Sequence, residues 1–339
     1  MRHNRLTEAM LRAAVSKIVR NMKEDPERGI KKLLEIAEKS ASGKQKEILE
    51  LVARELSDKN SAYYKLITDL IFRTDQRVLT EFGINLGYNG FTVGAEKINK
   101  LKQEKGHGIP WSIFFDMSWG SYPAMDTIAH IIRQGVDMGI HCYMFHIHRK
   151  YTGFDELMSI LSSFPGCAFF MFLYTPAINE RLVSRAISLK NVMLLLKPED
   201  EPGKENQEAA KLLIQSGCLC GCFARYSSRG GPIRDDSFLI PAEKLGFSFM
   251  CMICNEKLRP TGGESMKRFV DNYRMDLKRP ILPVDLWADM IDAGTSIGTG
   301  ACLVTISGGD QIIITDYERR RNKGGIDIQT PLSSVLMKI

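Results

Sequence analysis

The sequence of 339 residues has no uninterrupted apolar stretch of the roughly 18 residues that a membrane-spanning helix needs. Its longest apolar runs are interrupted by His or Lys, as in residues 140–146, which read IHCYMFH. The first residues, MRHNR, lead into a polar amphipathic helix and lack the apolar core of a secretory signal. These absences predict a protein without a membrane span, located in the cytoplasm.

The sequence also has little excess charge of either sign. Its formal net charge is +6, and the basic residues are spread along the chain. The densest basic run, residues 318–323 (ERRRNK), is followed by two glycines, which is typical of a solvated loop. A nucleic-acid contact at this run is the alternative, but we expect no nucleic-acid partner.

Disulfide-type cysteine spacing is absent as well. The eight cysteines lie inside apolar runs, where free cysteine is usually buried. With 44% hydrophobic and 25% charged residues, the composition is that of an ordinary globular protein. We therefore expect a large buried core in a reducing compartment.

Apolar residues recur at helical spacing through residues 1–105 and predict an N-terminal helical region. Asp25 followed by a proline predicts the start of one helix, and Ser61 predicts the start of another. A further segment, residues 76–94, has a helical pattern, but its glycines argue against one continuous helix. Such apolar stripes predict packing against a neighbouring domain.

Residues 106–290 alternate short apolar runs with amphipathic segments, which is the pattern of parallel βα units. This predicts an α/β fold, a partial (β/α)6 TIM-like barrel with ligand-facing residues just past the C-terminal ends of its strands. In residues 291–339, two short strands flank a Ser-Gly-Gly-Asp turn at 307–310 and predict a C-terminal hairpin or extension. The predicted strands of the barrel are 112–115, 141–147, 168–173, 192–196, 219–224 and 248–253, and the helices between and after them are 125–138, 155–163, 178–189, 205–216, 237–245 and 264–277.

Residues 108–116, GIPWSIFFD, resemble the first barrel strand of a group of radical SAM proteins, in which the strand reads IPWAILxD. Residues 61–67, SAYYKLI, resemble the helical segment that precedes that strand in the same group. The likeness covers most of the chain and implies a radical-SAM-type partial barrel with a SPASM-like C-terminal tail. Its further short motifs lie at 138–144, 166–169, 298–300 and 307–310.

Three features that the resemblance leads us to expect are missing. Radical SAM enzymes carry a Cys-x3-Cys-x2-Cys loop after the first strand, whose thiolates hold the iron–sulfur cluster that binds S-adenosylmethionine. The corresponding residues 116–125, DMSWGSYPAM, contain no cysteine. The Gly-Gly-Glu-Pro after the second strand is replaced by IHRK at 147–150, and the tail lacks the cysteine expected near Ile314. The sequence therefore predicts a degenerate member without its own cluster or cofactor.

Other cysteines could rebuild a metal site. Cys218, Cys220 and Cys222 alternate and would share one face of a strand, while Cys251 and Cys254 form a Cys-x2-Cys on the next strand. Cys220, Cys222 and Cys251 are thus candidate ligands for zinc or a relocated iron–sulfur cluster. The alternative is that these thiols are ordinary core residues, which the apolar sequence around them favours.

Two histidines mark the second candidate site. His146 and His148 leave the end of the second predicted strand on one face, and Asp116 ends the first strand. With Arg149 beside them, these residues could bind a phosphate or carboxylate at the mouth of the barrel, or share a metal ion. The alternative is a pair of hydrogen-bonded histidines near a loop.

A glycine-rich segment, residues 229–234 (RGGPIR), could cradle an anion or be a plain βα loop. Two functions remain open. The first is a binding or partner subunit that recognises a peptide, a small molecule or a companion enzyme and does not cleave S-adenosylmethionine itself. The second is a radical SAM-related enzyme of altered chemistry that uses a relocated metal or iron–sulfur site.

Overall fold

The protein is an α/β structure in which a helical N-terminal region precedes a curled, mainly parallel sheet. None of the described helices combines the length and apolar character required to cross a membrane. The computed structural model describes residues 2–40, 44–118, 120, 122–227, 235–254, 263–275, 279–298, 300–308, 312–316, 321–326 and 332.

The predicted helix starts in the N-terminal region are confirmed. The Asp25 carboxylate accepts a hydrogen bond from the backbone N–H of Arg28 at 3.0 Å, and the Ser61 hydroxyl accepts one from Tyr64 N–H at 3.0 Å. Each side chain satisfies one of the donors that a helix leaves unpaired in its first turn. The first helices are α1 (Arg2–Asn21), α2 (Pro26–Ser40), α3 (Lys44–Ser57) and α4 (Ala62–Arg73).

The glycine-containing segment is helical throughout, contrary to the expectation from its glycines. It comprises α5 (Gln76–Gly83), a π-helix (Ile84–Gly94) and α6 (Ala95–Lys105) in direct succession. Gly94 is required by packing, since a Cβ there would clash with the carbonyl oxygen of Gly139. The glycines therefore widen the helix and allow close approach without ending it.

The predicted partial barrel is confirmed, with the six predicted strands differing from the observed ones only at their ends. The strands are β1 (Ile109–Met117), β2 (Cys142–Ile147), β3 (Ala168–Leu173), β4 (Val192–Leu196), β5 (Cys220–Tyr226), β6 (Phe249–Cys254) and β7 (Leu282–Asp285). The intervening helices are α7 (Met125–Met138), α8 (Phe154–Ser162), α9 (Glu180–Leu189), α10 (Lys204–Gln215), α11 (Ile240–Lys244) and α12 (Gly263–Met275).

The C-terminal part adds to the sheet. Helix α13 (Leu286–Ser296) leads to β8 (Gly300–Ser307), which pairs with β1 in parallel, so eight parallel strands form the curled sheet. Strands β9 (Ile312–Asp316) and β10 (Arg321–Ile326) then continue it in antiparallel order. The β8–β9 pairing confirms the predicted hairpin, while its turn residues 309–311 lie outside the described residues.

The sequence analysis missed β7, α13 and the pairing of β8 with β1. Strand β7 has only four residues and contains Pro283, so its periodicity is too short to read. The pairing of β8 with β1 joins the two ends of the barrel segment and places Ser112 opposite Leu303. Local sequence patterns do not predict pairing between residues so far apart in the chain.

The two faces of the sheet pack against different layers. The convex face, with Ile113 and Phe115 of β1, packs against α7–α10 in the larger hydrophobic cluster. The concave face, with Phe114 of β1, packs against α4, α5 and α13 in a second cluster. Because both faces are covered, the strands read as continuous apolar runs.

Polar contacts attach the N-terminal helices to the loops that precede the strands. The Asn85 amide nitrogen donates to Pro165 O at 2.7 Å and to Cys167 O at 2.9 Å, just before β3. Arg73 Nη1 donates to Gly246 O at 2.6 Å, just before β6. The helical region therefore covers the N-terminal end of the barrel and leaves the C-terminal end to the βα loops.

Replacing Asn85 tests this attachment. Asn85 is fully buried, so Asn85→Ala leaves two carbonyl groups without its donor and should lower the free energy of unfolding by about 2–4 kcal/mol. Denaturant unfolding measures the change. Asn60→Ala, at an exposed position, is the control and should stay within about 0.5 kcal/mol of the wild type. Equal stability of the two variants would contradict the attachment.

Candidate functional site at the carboxyl ends of the strands

A small group of polar side chains lies where β1, β2 and β3 end. Asp116 and His146 are opposite each other in the β1–β2 register, and His146 Nδ1 lies 3.7 Å from Asp116 Oδ1. On the other side of the ring, the hydroxyl of Tyr174 lies 3.4 Å from His146 Nε2. This arrangement favours a proton on Nδ1, facing the carboxylate, with Nε2 as the acceptor for Tyr174. The structure therefore brings together two of the predicted site residues, Asp116 and His146.

The alternation of strand residues explains why polar groups meet here. Phe114, Met144 and Phe172 face the concave side of the sheet, so the residues two positions further along each strand share that direction. Those residues are Asp116, His146 and Tyr174. The Asp116 carboxylate is in turn held by the loop after β1, since Oδ1 accepts hydrogen bonds from Ser118 N (3.2 Å) and Ser118 Oγ (2.5 Å).

His146 is 1% exposed and lies among aromatic rings. The ring centroids of Phe223 and Phe114 are 5.5 Å and 6.3 Å from that of His146. Burial, together with the positive charge of Arg225, lowers the pKa of His146 to about 4, and the Asp116 carboxylate opposes the shift. His146 is consequently neutral at physiological pH. Its two ring nitrogens face Asp116 and Tyr174.

The concave face below this group is filled by the chain's own side chains. Trp287, in the first turn of α13, packs edge-on against Phe114 with ring centroids 4.9 Å apart. Trp287 Nε1 also donates to Cys254 O at 3.5 Å. Both aromatic residues are buried, at 6% and 2% exposure. The base of the mouth is thus a packed aromatic layer.

A cavity of about 560 Å³ extends from the ends of β4 and β5 along the convex side of β6 to α11. Its apolar wall includes Met250 and Met252 of β6 and Pro241 of α11. Its polar wall carries both signs of charge, with the cations Lys197, Arg225 and Lys244 and the carboxylates Asp200, Glu201 and Asp235. Arg225 belongs to both places, because its charge acts on His146 and its side chain lines the cavity. A volume of this size and mixed polarity is typical of ligand sites in proteins.

The remaining predicted residues of the mouth lie in the loop after β2. His148 is half-buried, and its Nδ1 accepts the backbone N–H of Lys150 at 3.2 Å. Its hydrogen bond in the described part of the chain is therefore to its own loop and not to Asp116 or His146. Arg149 is exposed. The glycine-rich segment 229–234 lies outside the described residues.

The three candidate thiols are separated by the sheet. Cys220 and Cys222 pack in the convex cluster, whereas Cys251 packs in the concave cluster. Burial raises the pKa of Cys220 and of Cys251 to about 12 and that of Cys222 well above its usual value, so all three are protonated thiols at neutral pH. Among the described residues, no three His, Cys, Asp or Glu side chains are placed to share a metal ion.

Sequence reasoning did not identify Tyr174 and Arg225. Both follow an inward-facing aromatic residue by two positions, Phe172 and Phe223 respectively, at the ends of β3 and β5. Applying the period of two to every strand end would have found them. Asp285, at the end of β7, was missed too; burial raises its pKa to about 6, and it accepts the N–H of Ala288 at the start of α13.

The fold is similar to that of SuiB from Streptococcus suis. The crystal structure of SuiB bound to its precursor peptide SuiA aligns with a TM-score of 0.51 and 11% identity over 71% of this chain and 68% of SuiB. The structure of SuiB bound to S-adenosylmethionine aligns with a TM-score of 0.50 and 11% identity, over 71% and 67% of the two chains.

At this identity the similarity extends to the fold alone, and it supports the radical-SAM-like partial barrel. No protein-family model matches the chain, and no curated protein matches its sequence.

The buried state of His146 predicts a specific pH dependence of stability. The folded-state pKa of about 4 lies below the unfolded value of about 6.5, so the unfolded chain binds the extra proton between these values. The contribution of His146 is therefore complete above pH 6.5 and is lost as the pH falls toward 4. Between pH 7 and pH 5, the wild type should lose about 2 kcal/mol more unfolding free energy than His146→Gln.

Denaturant unfolding of both proteins at the two pH values measures this difference. The comparison with His146→Gln cancels the opposing contribution of Asp285, whose raised pKa makes the fold more stable at lower pH. Parallel pH profiles for the two proteins would show that His146 is not buried in its neutral form.

Proposed function

We propose that this chain is a binding or partner subunit built on a radical-SAM-like barrel, without a cluster of its own for cleaving S-adenosylmethionine. One observation carries the proposal. The segment between β1 and α7, residues 118–124, reads SWGSYPA and contains no cysteine. A cluster-binding loop of the Cys-x3-Cys-x2-Cys type requires three thiolates at this place.

The packing beside that segment supports the same proposal. The concave face close to the end of β1 holds Phe114 and Trp287 in direct contact. In the loop after β2, Arg149 and Lys150 are exposed basic residues where the resemblance leads us to expect an acidic motif. A carboxylate that would pair with an ammonium group is thereby replaced by positive charge.

For the bound partner we propose a peptide, whose contact surface is the 560 Å³ cavity that extends from the ends of β4 and β5 to α11. SuiB, which shares the fold, was crystallised with its precursor peptide SuiA. The half-buried side chains of Phe238 and Pro241 in the cavity wall offer apolar surface to side chains of the peptide. Arg225 supplies a cation for a carboxylate of the peptide, in a fork geometry that carboxylates match.

In this proposal His146 is a positioning residue. Its neutral ring lies between Asp116 and Tyr174. The positive charge of Arg225, which lines the cavity, also lowers the pKa of His146. A ligand anion at Arg225 would weaken the positive field at His146 and so raise its pKa. Binding at the cavity is thereby linked to the polar group at the mouth.

The absence of a working cluster is tested by anaerobic reconstitution of the purified chain with iron and sulfide. We expect no stoichiometric iron or sulfide, no cluster absorbance, and no 5′-deoxyadenosine when S-adenosylmethionine and a reductant are added. Cys222→Ala and His148→Ala serve as comparison variants for metal content. Cluster formation together with 5′-deoxyadenosine would contradict the proposal and favour an enzyme of altered chemistry.

The peptide site is tested by selection from a random dodecapeptide library on the immobilised full chain. Peptides that bind the wild type should bind Arg225→Gln at least tenfold more weakly, because a hydrogen bond to a charged group is worth about 1.5–3 kcal/mol. Arg149→Gln removes the same charge from the loop after β2 and should change the affinity less than twofold. If Arg149→Gln weakens binding and Arg225→Gln does not, the ligand belongs to the β2 loop and not to the cavity.

A further inference from the structure

A second cavity lies in the N-terminal helical region, far in sequence from the residues of the mouth. Its volume is about 480 Å³, and its wall is formed by side chains of α1–α5 and of the π-helix. This volume falls within the roughly 300–1,000 Å³ typical of small-molecule sites. The helical region therefore encloses space that the packing of its own side chains does not fill.

The incomplete burial of several lining side chains shows that the helices do not pack directly against one another around the cavity. Leu33 of α2, Ile67 of α4 and Leu79 of α5 face the cavity, yet each is only half-buried. Protein interiors are normally packed as densely as organic crystals, and apolar side chains on the inner face of a helix bundle are then fully buried. These side chains present apolar surface that a ligand could cover.

Two glycines near the start of the π-helix line the same space and fill none of it with side chains. Gly83 and Gly87 line the cavity, and a Cβ atom built on either would meet nothing within 4 Å. By contrast, Gly94 in the same helix is required by close packing against Gly139. The first two glycines are thus not needed for contacts within the described chain, and their absent side chains leave the cavity open. Unusual π-turns occur frequently at functional sites.

The chemistry of the lining limits the ligand. Among the described residues that form the wall, none carries a charge, and the polar side chains are the hydroxyls of Tyr88 and Thr92. An ionised ligand group would be left without a counter-ion there, at a high desolvation cost. The occupant must therefore be uncharged and largely hydrocarbon, with at most a hydroxyl or carbonyl group near Tyr88 and Thr92.

The size of the cavity excludes a helix of a partner protein as a fully enclosed occupant. Two turns of an α-helix occupy roughly 850 Å³, whereas a single aliphatic chain fits within the cavity of about 480 Å³. We propose that the N-terminal helical region binds one uncharged aliphatic molecule, of the fatty-alcohol or isoprenoid type, between α1–α5 and the π-helix. This site is separate from the proposed peptide site, and its test does not depend on that proposal.

The test uses the full chain and the uncharged fluorescent probe N-phenyl-1-naphthylamine. We expect saturable binding with one probe per chain. Gly87→Leu places a side chain in open space and should weaken binding at least tenfold without lowering the thermal unfolding midpoint. Gly87→Ala adds only a methyl group and should stay within about threefold of the wild type.

Phe72→Ala is the control for binding elsewhere on the surface, because Phe72 is an exposed aromatic side chain outside the cavity wall and its removal should change nothing. Unaltered binding by Gly87→Leu, or a loss of binding in Phe72→Ala, would overturn the proposal. So would the lack of saturable binding by the wild type.

A measurement on the wild type alone guards against misfolding of the variants. Displacement of the probe by 1-alkanols from hexanol to dodecanol should strengthen about fourfold with each added methylene, the change that burial of one such group gives. The increase should stop once the chain fills the cavity. Equal displacement by all chain lengths would overturn the proposal.

Discussion

The pairing of β1 on both of its edges is the constraint on which the barrel and its mouth depend. With β2 on one side and β8 on the other, β1 must satisfy its backbone groups within the sheet and bury both faces. Its side chains meet this demand along the strand, since Ile113 and Phe115 pack on the convex face and Phe114 on the concave face. The charged residue of the strand, Asp116, lies near its carboxyl end, where the side chain is only half-buried.

Burial of the concave face also determines the electrostatics of the mouth. His146 continues the concave face of β2 by one more position and is surrounded by aromatic rings, so burial keeps it neutral. The neutral ring faces Asp116 on one side and Tyr174 on the other, and Asp116 also accepts a hydrogen bond from Ser118 in its own loop. Arg225 then links the mouth with the neighbouring cavity, since it acts on His146 and lines the cavity wall. The chemistry of this end is therefore that of recognition by fixed polar groups, which is the basis of the proposed binding role.

The helical region combines rigid and open parts. Where it meets the barrel, Asn85 uses both hydrogens of its amide on carbonyl groups next to β3, and this junction is fully buried. Away from the barrel, the inner faces of the helices remain only half-buried around a cavity. The π-helix spans both parts, with close packing at Gly94 and open space at Gly87. One helical segment thus anchors the region and shapes its cavity.

The sequence by itself determined the alternation of strands and helices, the helix starts at Asp25 and Ser61, and the pair Asp116 and His146, because periodicity and capping are local properties. The lack of a cysteine after β1 was also visible in the sequence alone. Only the tertiary structure decided that β8 pairs with β1, that α13 fills the concave face, and that Cys222 and Cys251 face opposite sides. It also brought Tyr174 and Arg225 to the mouth and opened the cavity among the helices. These features depend on the curvature of the sheet and on contacts between residues far apart in the chain, which no local pattern encodes.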